Sequence, residues 1–371
     1  MLSTAPAAVP AYRPDIDGLR ALAVLAVVLC HLDPRLLPGG YLGVDVFFVI
    51  SGFVITLSLV RHPAPGLGAL LFGFYARRCR RLLPSLALCV LASGVLAWML
   101  DPAPATSLVT GLAALAGLSN LALLRAAADY FAPGARLNLF TQTWSLGVEE
   151  QFYLVFPVLA WAAGRGHRGG PRRLFATCVV ASALSAVLLV LMPGPRGGAA
   201  YYLVFGRLWE LGAGCAAAAF CLGWPAAARR LAVPGLATAG LLLVVAGFAA
   251  PLSPTVLASF LVVPPAALLI LAGPAAGPVP RGLAARPVAG LGRMSYSLYL
   301  WHWPVVSAAA LLWGPAAAWW RLPLELALML GLGWLSWRLV ETPARRVLSR
   351  RRPRASYAVA ALAAFSVAGA P

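Results

Sequence analysis

The chain of 371 residues is poor in charge: only 11% of its residues are Asp, Glu, Lys or Arg, while 61% are apolar and the mean hydropathy is +0.84. Soluble domains carry roughly a quarter charged residues, so this shortage excludes an ordinary soluble globule and leaves a membrane protein. Lysine is missing altogether, and all 29 basic residues are arginine. A net charge of +18 on a soluble chain would suggest a nucleic-acid partner. Here the arginines lie between apolar runs, so the positive-inside rule accounts for them and no nucleic acid is implied. Cysteine is scarce, and Cys30, Cys79, Cys89, Cys178, Cys215 and Cys221 lie in or beside apolar runs without paired metal spacing, which argues for small packing residues and against a metal site. P-loop and dinucleotide fingerprints are missing, as is the inverted repeat that many transporters carry. The N-terminal stretch also lacks the basic region, short apolar core and cleavage site of a signal peptide, so the first span is expected to be retained.

What is present is a series of apolar segments long enough to cross about 30 Å of hydrocarbon. Candidates run over 19–37, 41–60, 82–100, 108–124, 144–163, 174–192, 201–222, 231–250, 252–272, 288–313, 316–340 and 355–370. Charge decides which to drop. If 108–124 does not cross, the clusters Arg77 to Arg81, Arg165 to Arg173, Arg229 with Arg230, Arg281 with Arg286, and Arg345 to Arg354 all fall on the side of the N-terminus; if it crosses, the later ones change sides. The expected fold class is therefore all-α: a polytopic protein of about eleven transmembrane helices, with a core over 1–346, a basic linker and final span over 347–371, and no extracytoplasmic domain after it. The N-terminus is expected in the cytoplasm and the chain in the plasma (inner) membrane. The outer loop from Asp101 to Thr143 is expected to hold an amphipathic or re-entrant piece.

Ionisable groups inside such segments are functional by default. In GLRALAVLAVVLCHLDP, the run Ala21 to Cys30 has no charge and ends on His31. Arg20 lies eleven residues earlier, which on an α-helix brings the two side chains within about 20° of one face and about 16 Å apart along the axis. Arg20 also reads as a positive-inside anchor and His31 as a tolerated interfacial ring. Asp45 in GVDVFFVISGF, and Glu149 and Glu150 in TWSLGVEEQFYL, are expected at a depth similar to His31. A carboxylate accepting from one imidazole nitrogen would leave the other as a base; alternatively these acids cap helix ends or pair with arginines. RRCRR places Arg77, Arg78, Arg80 and Arg81 in five positions, expected in a cytoplasmic connection just before a helix opening at Leu82. It serves as an anchor or as a fork for phosphates. His302 in YSLYLWHWP is a second intramembrane histidine beside Pro304, flanked by tryptophans typical of an aromatic belt. His62 and His167 fall in polar loops.

Together IDGLRALAVLAVVLCH, GGYLGVDVFFVISGFVIT, FYARRCRRLLP, TWSLGVEEQFYLVFP and SYSLYLWHWP resemble the acyltransferase 3 family of integral-membrane enzymes, from about Tyr12 to Arg346. The resemblance implies an O-acyltransferase that moves an acyl, most often acetyl, group from cytoplasmic acetyl-CoA to a carbohydrate hydroxyl of a cell-envelope polysaccharide or lipopolysaccharide, or of a small-molecule glycoside or macrolide. Acyl-CoA enters as donor substrate, and no permanently bound cofactor or metal is implied. The family's arginine–histidine pattern falls on Arg20 and His31, with His31 as general base or transient acyl carrier; Asp45 and Glu149 join it as catalytic candidates on their expected depth alone. Its Arg-x-x-Arg pattern is met by Arg77 with Arg80 and by Arg78 with Arg81, so the register stays open. Many members continue through an extra span into an extracytoplasmic domain. That span is present here, so this chain is expected to act alone, with a separate extracytoplasmic transferase partner, or as part of a longer chain. The rival from another class is a transporter or flippase with a His31, Asp45 and Glu149 relay.

Overall fold

The computed structural model describes residues 12–62, 64–126, 137–164, 169–191, 201–251, 256–314 and 320–350. Among them there is no strand, so the fold is all-α. The expected final span over 355–370 and the Arg165 to Arg168 part of one basic cluster lie outside the described residues.

Helix α1 (Pro14–Leu32) starts on a proline at its first position, with Asp15 and Asp17 in the first turn, where the helix dipole favours acids. It runs unbroken to Leu32 and stops at Asp33, before Pro34. α2 (Gly43–Arg61) follows a 3₁₀ turn at Gly40–Leu42. α3 (Leu67–Leu100) has 34 residues, or about 51 Å, well beyond about 30 Å of hydrocarbon. The sequence places the arginine cluster in a connection opening a helix at Leu82; in the structure Arg77 to Arg81 lie inside α3. Arginine is a good helix former and no proline lies between Leu67 and Leu82, so the helix continues through the cluster. The apolar part after Leu82 is about 28 Å long, which leaves the arginines at the edge of what hydrocarbon covers.

The segment 108–124 does not form one continuous helix. α4 (Ala105–Leu115) and α5 (Ser119–Arg125) are separated by Gly117, whose φ of 70° belongs to the left-handed region that ends helices. Eleven residues reach only about 16 Å, in keeping with the amphipathic or re-entrant piece expected there. α6 (Trp144–Ala162), α7 (Gly170–Leu191) and α8 (Val204–Gly223) match their apolar segments closely. Three other expected spans are interrupted: 252–272 divides into a 3₁₀ stretch and Val263–Ala272, 288–313 divides at Met294, and the helix Arg321–Leu335 passes into a π-helical stretch at Ser336–Glu341. The stretches Gly40–Arg61, Leu67–Leu100 and Gly170–Leu191 are long and apolar enough to cross a membrane. On α3 and α7, Leu91, Val95, Trp98, Val180, Leu184, Val187 and Leu191 stand exposed at helical spacing, which is the surface a lipid tail covers and water would not.

The chain forms two compact units, one of Met1–Leu70, Phe152–Pro193 and Phe205–Arg293, the other of Leu71–Gln151, Gly194–Val204 and Met294–Pro371. In the first, α1 and α2 pack antiparallel through glycines: a side chain on Gly40 would run into the Ala26 carbonyl, and one on Gly43 into that of Ala23. α2 and α8 meet the same way, with Gly52 against the Leu211 carbonyl and Gly214 against that of Val49. Asp45 meets Arg207, Val49 meets Gly214, and Gly52 takes a bond from the Cys215 thiol at 3.3 Å, so α2 and α8 run in the same direction. Gly52→Val is expected to destabilise the protein by about 1–3 kcal/mol through forced separation of these helices, whereas Gly235→Ala, with open space around it, should leave the thermal midpoint unchanged in detergent. In the second unit Leu86, Cys89, Val90, Phe140, Leu300 and Trp301 form the core, and the Cys89 thiol donates to the Leu300 carbonyl at 3.4 Å.

Candidate active site

Because α1 is continuous, the helical relation between Arg20 and His31 holds: both lie on one face, about 16 Å apart. Arg20 is largely buried and donates to Asp17 at 2.8 Å. This fixes the guanidinium at the start of α1 with further N–H donors beyond the one committed to Asp17. His31 is half-buried in the last turn, two residues before Asp33, which pairs with Arg35 at 2.7 Å in the exposed turn. Pairs so exposed contribute little to stability.

Asp45 sits in the first turn of α2, 2% exposed. Its partner was not legible in the sequence: Arg207 of α8 donates to it at 2.6 Å and lies 2.9 Å from Glu210. The Phe48 ring lies 5.6 Å below the guanidinium, a cation–π contact that helps hold a buried charge. Arg207 and Glu210, neither assigned a role from the sequence, complete a triad of two acids around one arginine. The available signal was their i, i+3 spacing within the apolar run VFGRLWELGAG.

The second unit carries the arginine cluster and the paired glutamates. Arg77, Arg78, Arg80 and Arg81 are half-buried. On one helix, Arg77 with Arg80 and Arg78 with Arg81 are each one turn apart, so both registers remain geometrically sound. Arg78 lies over the Phe74 ring at 5.9 Å and attracts Glu150, whose charge also reaches Tyr75 and Cys79. Glu150 packs against Gly117, where the outer segment breaks. Glu149 precedes it on α6, half-buried. The carboxylates that the sequence places in the His31 layer are thus divided: Asp45 belongs with His31 and Arg207 in the first unit, and Glu149 and Glu150 with the arginine cluster in the second.

His302 is fully buried, with its Nδ1 on the Tyr299 carbonyl. The Tyr299 hydroxyl reaches the Gln142 carbonyl at 3.0 Å and the Ser145 hydroxyl at 2.9 Å, and the Trp303 indole donates to the Asn138 carbonyl at 2.9 Å. This polar network ties the helix Ser295–Trp313 to the entry of α6, a positioning arrangement of the kind buried hydrogen-bond networks provide. The π-helical stretch turns Glu341 inward to accept from Ser297 at 2.8 Å, another pairing that no linear motif announced.

Chemically, the face of α1 offers an anion-binding group at one end and an ionisable ring at the other, and the second unit offers further cations. A family profile described as an acyltransferase domain matches residues 13–338. The chain is 30% identical over 359 residues to the O-acetyltransferase OatA of Staphylococcus aureus (strain NCTC 8325 / PS 47), covering 91% of this chain and 58% of that protein. It is 29% identical over 357 residues to the peptidoglycan O-acetyltransferase OatA of Listeria monocytogenes, covering 90% and 56%. With the putative membrane-bound transacylase BcsY of Komagataeibacter xylinus it shares 35% over 301 residues, covering 80% and 74%. The chain therefore spans less than two thirds of the length of the OatA proteins. No solved structure matches. The profile match, which takes in both Arg20 with His31 and the arginine cluster, shows that this membrane protein belongs to the acyltransferase 3 family.

Proposed function

We propose that the protein is an O-acetyltransferase that takes an acyl group, most simply acetyl, from cytoplasmic acyl-CoA and delivers it to a hydroxyl of a cell-envelope polysaccharide. The observation that carries this is the single unbroken face of α1 on which Arg20 and His31 both lie, in a chain of this family. An alcohol is a weak nucleophile at neutral pH. His31 takes its proton as the oxygen attacks the thioester carbon; the tetrahedral intermediate collapses, the C–S bond breaks, and the proton passes to the departing thiolate. In the variant route the acyl group rests first on the ring nitrogen. The acceptor is an envelope glycan: the Listeria relative is named for peptidoglycan, which favours a glycan of that kind over lipopolysaccharide.

Asp45 is assigned to the site as a carboxylate held by Arg207 in the first turn of α2, and Glu149 as the acid next to Glu150, which Arg78 attracts. Arg20 in the first unit, and Arg77, Arg78, Arg80 and Arg81 in the second, are each assigned to donor phosphates on the chemistry of their own unit. Replacing Arg77 and Arg80 together by Gln, or Arg78 and Arg81 together, removes two charge-assisted contacts, each contributing about 1.5–3 kcal/mol. The pair in the true register is expected to lose about a hundredfold or more in acyl-CoA affinity, read by calorimetric titration, while both double variants keep wild-type topology in reporter fusions. If both double variants bind acyl-CoA normally, the cluster is only an anchor.

The membrane arrangement we propose has about eleven crossings, an N-terminus in the cytoplasm and the plasma membrane as its site. The shared direction of α2 and α8 supports it, because α3, α6 and α7 between them restore the direction only if the α4–α5 segment does not cross. The decisive experiment compares envelope glycans by mass spectrometry from cells with and without the gene, together with release of labelled acetyl from acetyl-CoA by the purified protein. Substrate flux without CoA consumption would instead identify a carrier.

A further inference from the structure

The start of α1 is clamped by two close backbone approaches. No side chain fits on Gly18, which lies against the Leu283 carbonyl, nor on Gly292, which lies against that of Asp17. The second approach also fixes the neighbour of Gly292: Arg293, the last residue of the helix Arg286–Arg293, is held at the level of Asp17. There the Tyr12 hydroxyl donates to one oxygen of Asp17 and lies within electrostatic reach of the Arg293 guanidinium, while Arg20 donates to the other oxygen of Asp17 at 2.8 Å.

One carboxylate, 5% exposed, therefore pairs with Arg20 and is reached by Arg293 only through the Tyr12 hydroxyl, so that two guanidiniums face one acid and one positive charge is in excess. Arg293 is exposed, and the Tyr12 beside it is 63% exposed. An arginine acting only as a topology anchor needs no fixed partner, because the surface potential does not depend on its orientation. A guanidinium aimed by a tyrosine hydroxyl, with most of its five N–H donors still available, suits a ligand with several acceptor oxygens at a defined place.

We propose that Arg293 is a further donor-binding residue, the second of a guanidinium pair with Arg20 that takes a phosphate group of the acyl-CoA, and that Tyr12 is the positioning residue that aims it. This rests on the reading of the Arg20 and His31 face as the path of the donor. The ligand class follows from the chemistry: two planar cations gathered at the start of α1 recognise a phosphate ester or diphosphate, and the phosphate-free arm of the same donor has nothing to offer them.

The test uses the full chain in detergent and titrates two probes, CoA and pantetheine, into wild type, R293Q, R293K and Y12F. R293Q is expected to weaken CoA about tenfold or more while leaving pantetheine and the thermal midpoint unchanged; R293K should recover part of the loss, and Y12F should weaken CoA selectively but less than R293Q. Unchanged CoA affinity in R293Q overturns the inference alone, provided wild type binds CoA. An equal loss for both probes also overturns it, since that is the mark of a structural role. A wild type that binds CoA no better than pantetheine overturns the donor reading itself, and with it this inference.

Discussion

His31→Ala is expected to lower acyl transfer by about two to four orders of magnitude, the range a positioned general base contributes, with expression, thermal midpoint and CoA affinity kept. The separation follows from the structure. His31 stands in the last turn of α1 and is only half-buried, so truncating it leaves a small change in packing, whereas the groups that clamp α1 lie at its other end, around Asp17 and Gly18. Binding of the phosphates is assigned to arginines and not to the ring, so the defect should fall on kcat more than on donor affinity. Purified wild type and variant, assayed for label moving from acetyl-CoA to a glycan acceptor, give the comparison. Transfer at wild-type rate in the variant would remove His31 from the chemistry. Quenching the reaction separates the two routes: an acetyl group retained on the wild-type protein and missing from the variant marks the ring as a carrier, and its absence from both marks it as a base.

Arg207→Met should be the most damaging single change in the first unit. It removes the cation between Asp45 and Glu210, which are 2% and 0% exposed, and leaves two buried acids without their counter-charge. Breaking a buried pair in this way costs about 3–5 kcal/mol, enough to unfold many proteins of ordinary stability. Asp45→Asn is milder, because Arg207 with Glu210 remains a matched pair at 2.9 Å. The triple change D45N/R207M/E210Q removes every formal charge at once and should regain most of the lost stability, as replacements of buried ion pairs often do. Thermal unfolding in detergent of the three proteins measures the order. Equal midpoints for R207M and D45N would mean that the triad is not the electrostatic unit described.

Local geometry was legible wherever one helix decided it. Arg20 and His31 share a face because eleven residues make almost a whole number of turns, and that relation needs only a helix without a break, which α1 is. Charge singled out the segment between Asp101 and Thr143, and the structure breaks its apolar run into two short helices at Gly117. The sequence opened the third helix at Leu82, whereas it begins at Leu67 and takes in the arginine cluster. Hydropathy reports where hydrocarbon begins, not where helix begins, and RRCRR is as helical as the apolar residues that come after it.

The sequence by itself determined an all-α membrane protein, its family, and the arginine and histidine that share one face of its first helix. Only the tertiary structure decided who pairs with Asp45, since Arg207 stands 162 residues away on a helix that approaches through Gly52 and Gly214; likewise it alone brought Arg293 to Asp17. The physical reason is that helical period fixes relations within a segment, whereas partners across segments depend on which backbones can approach closely. That is set by steric contacts between glycines and carbonyls far apart in the chain.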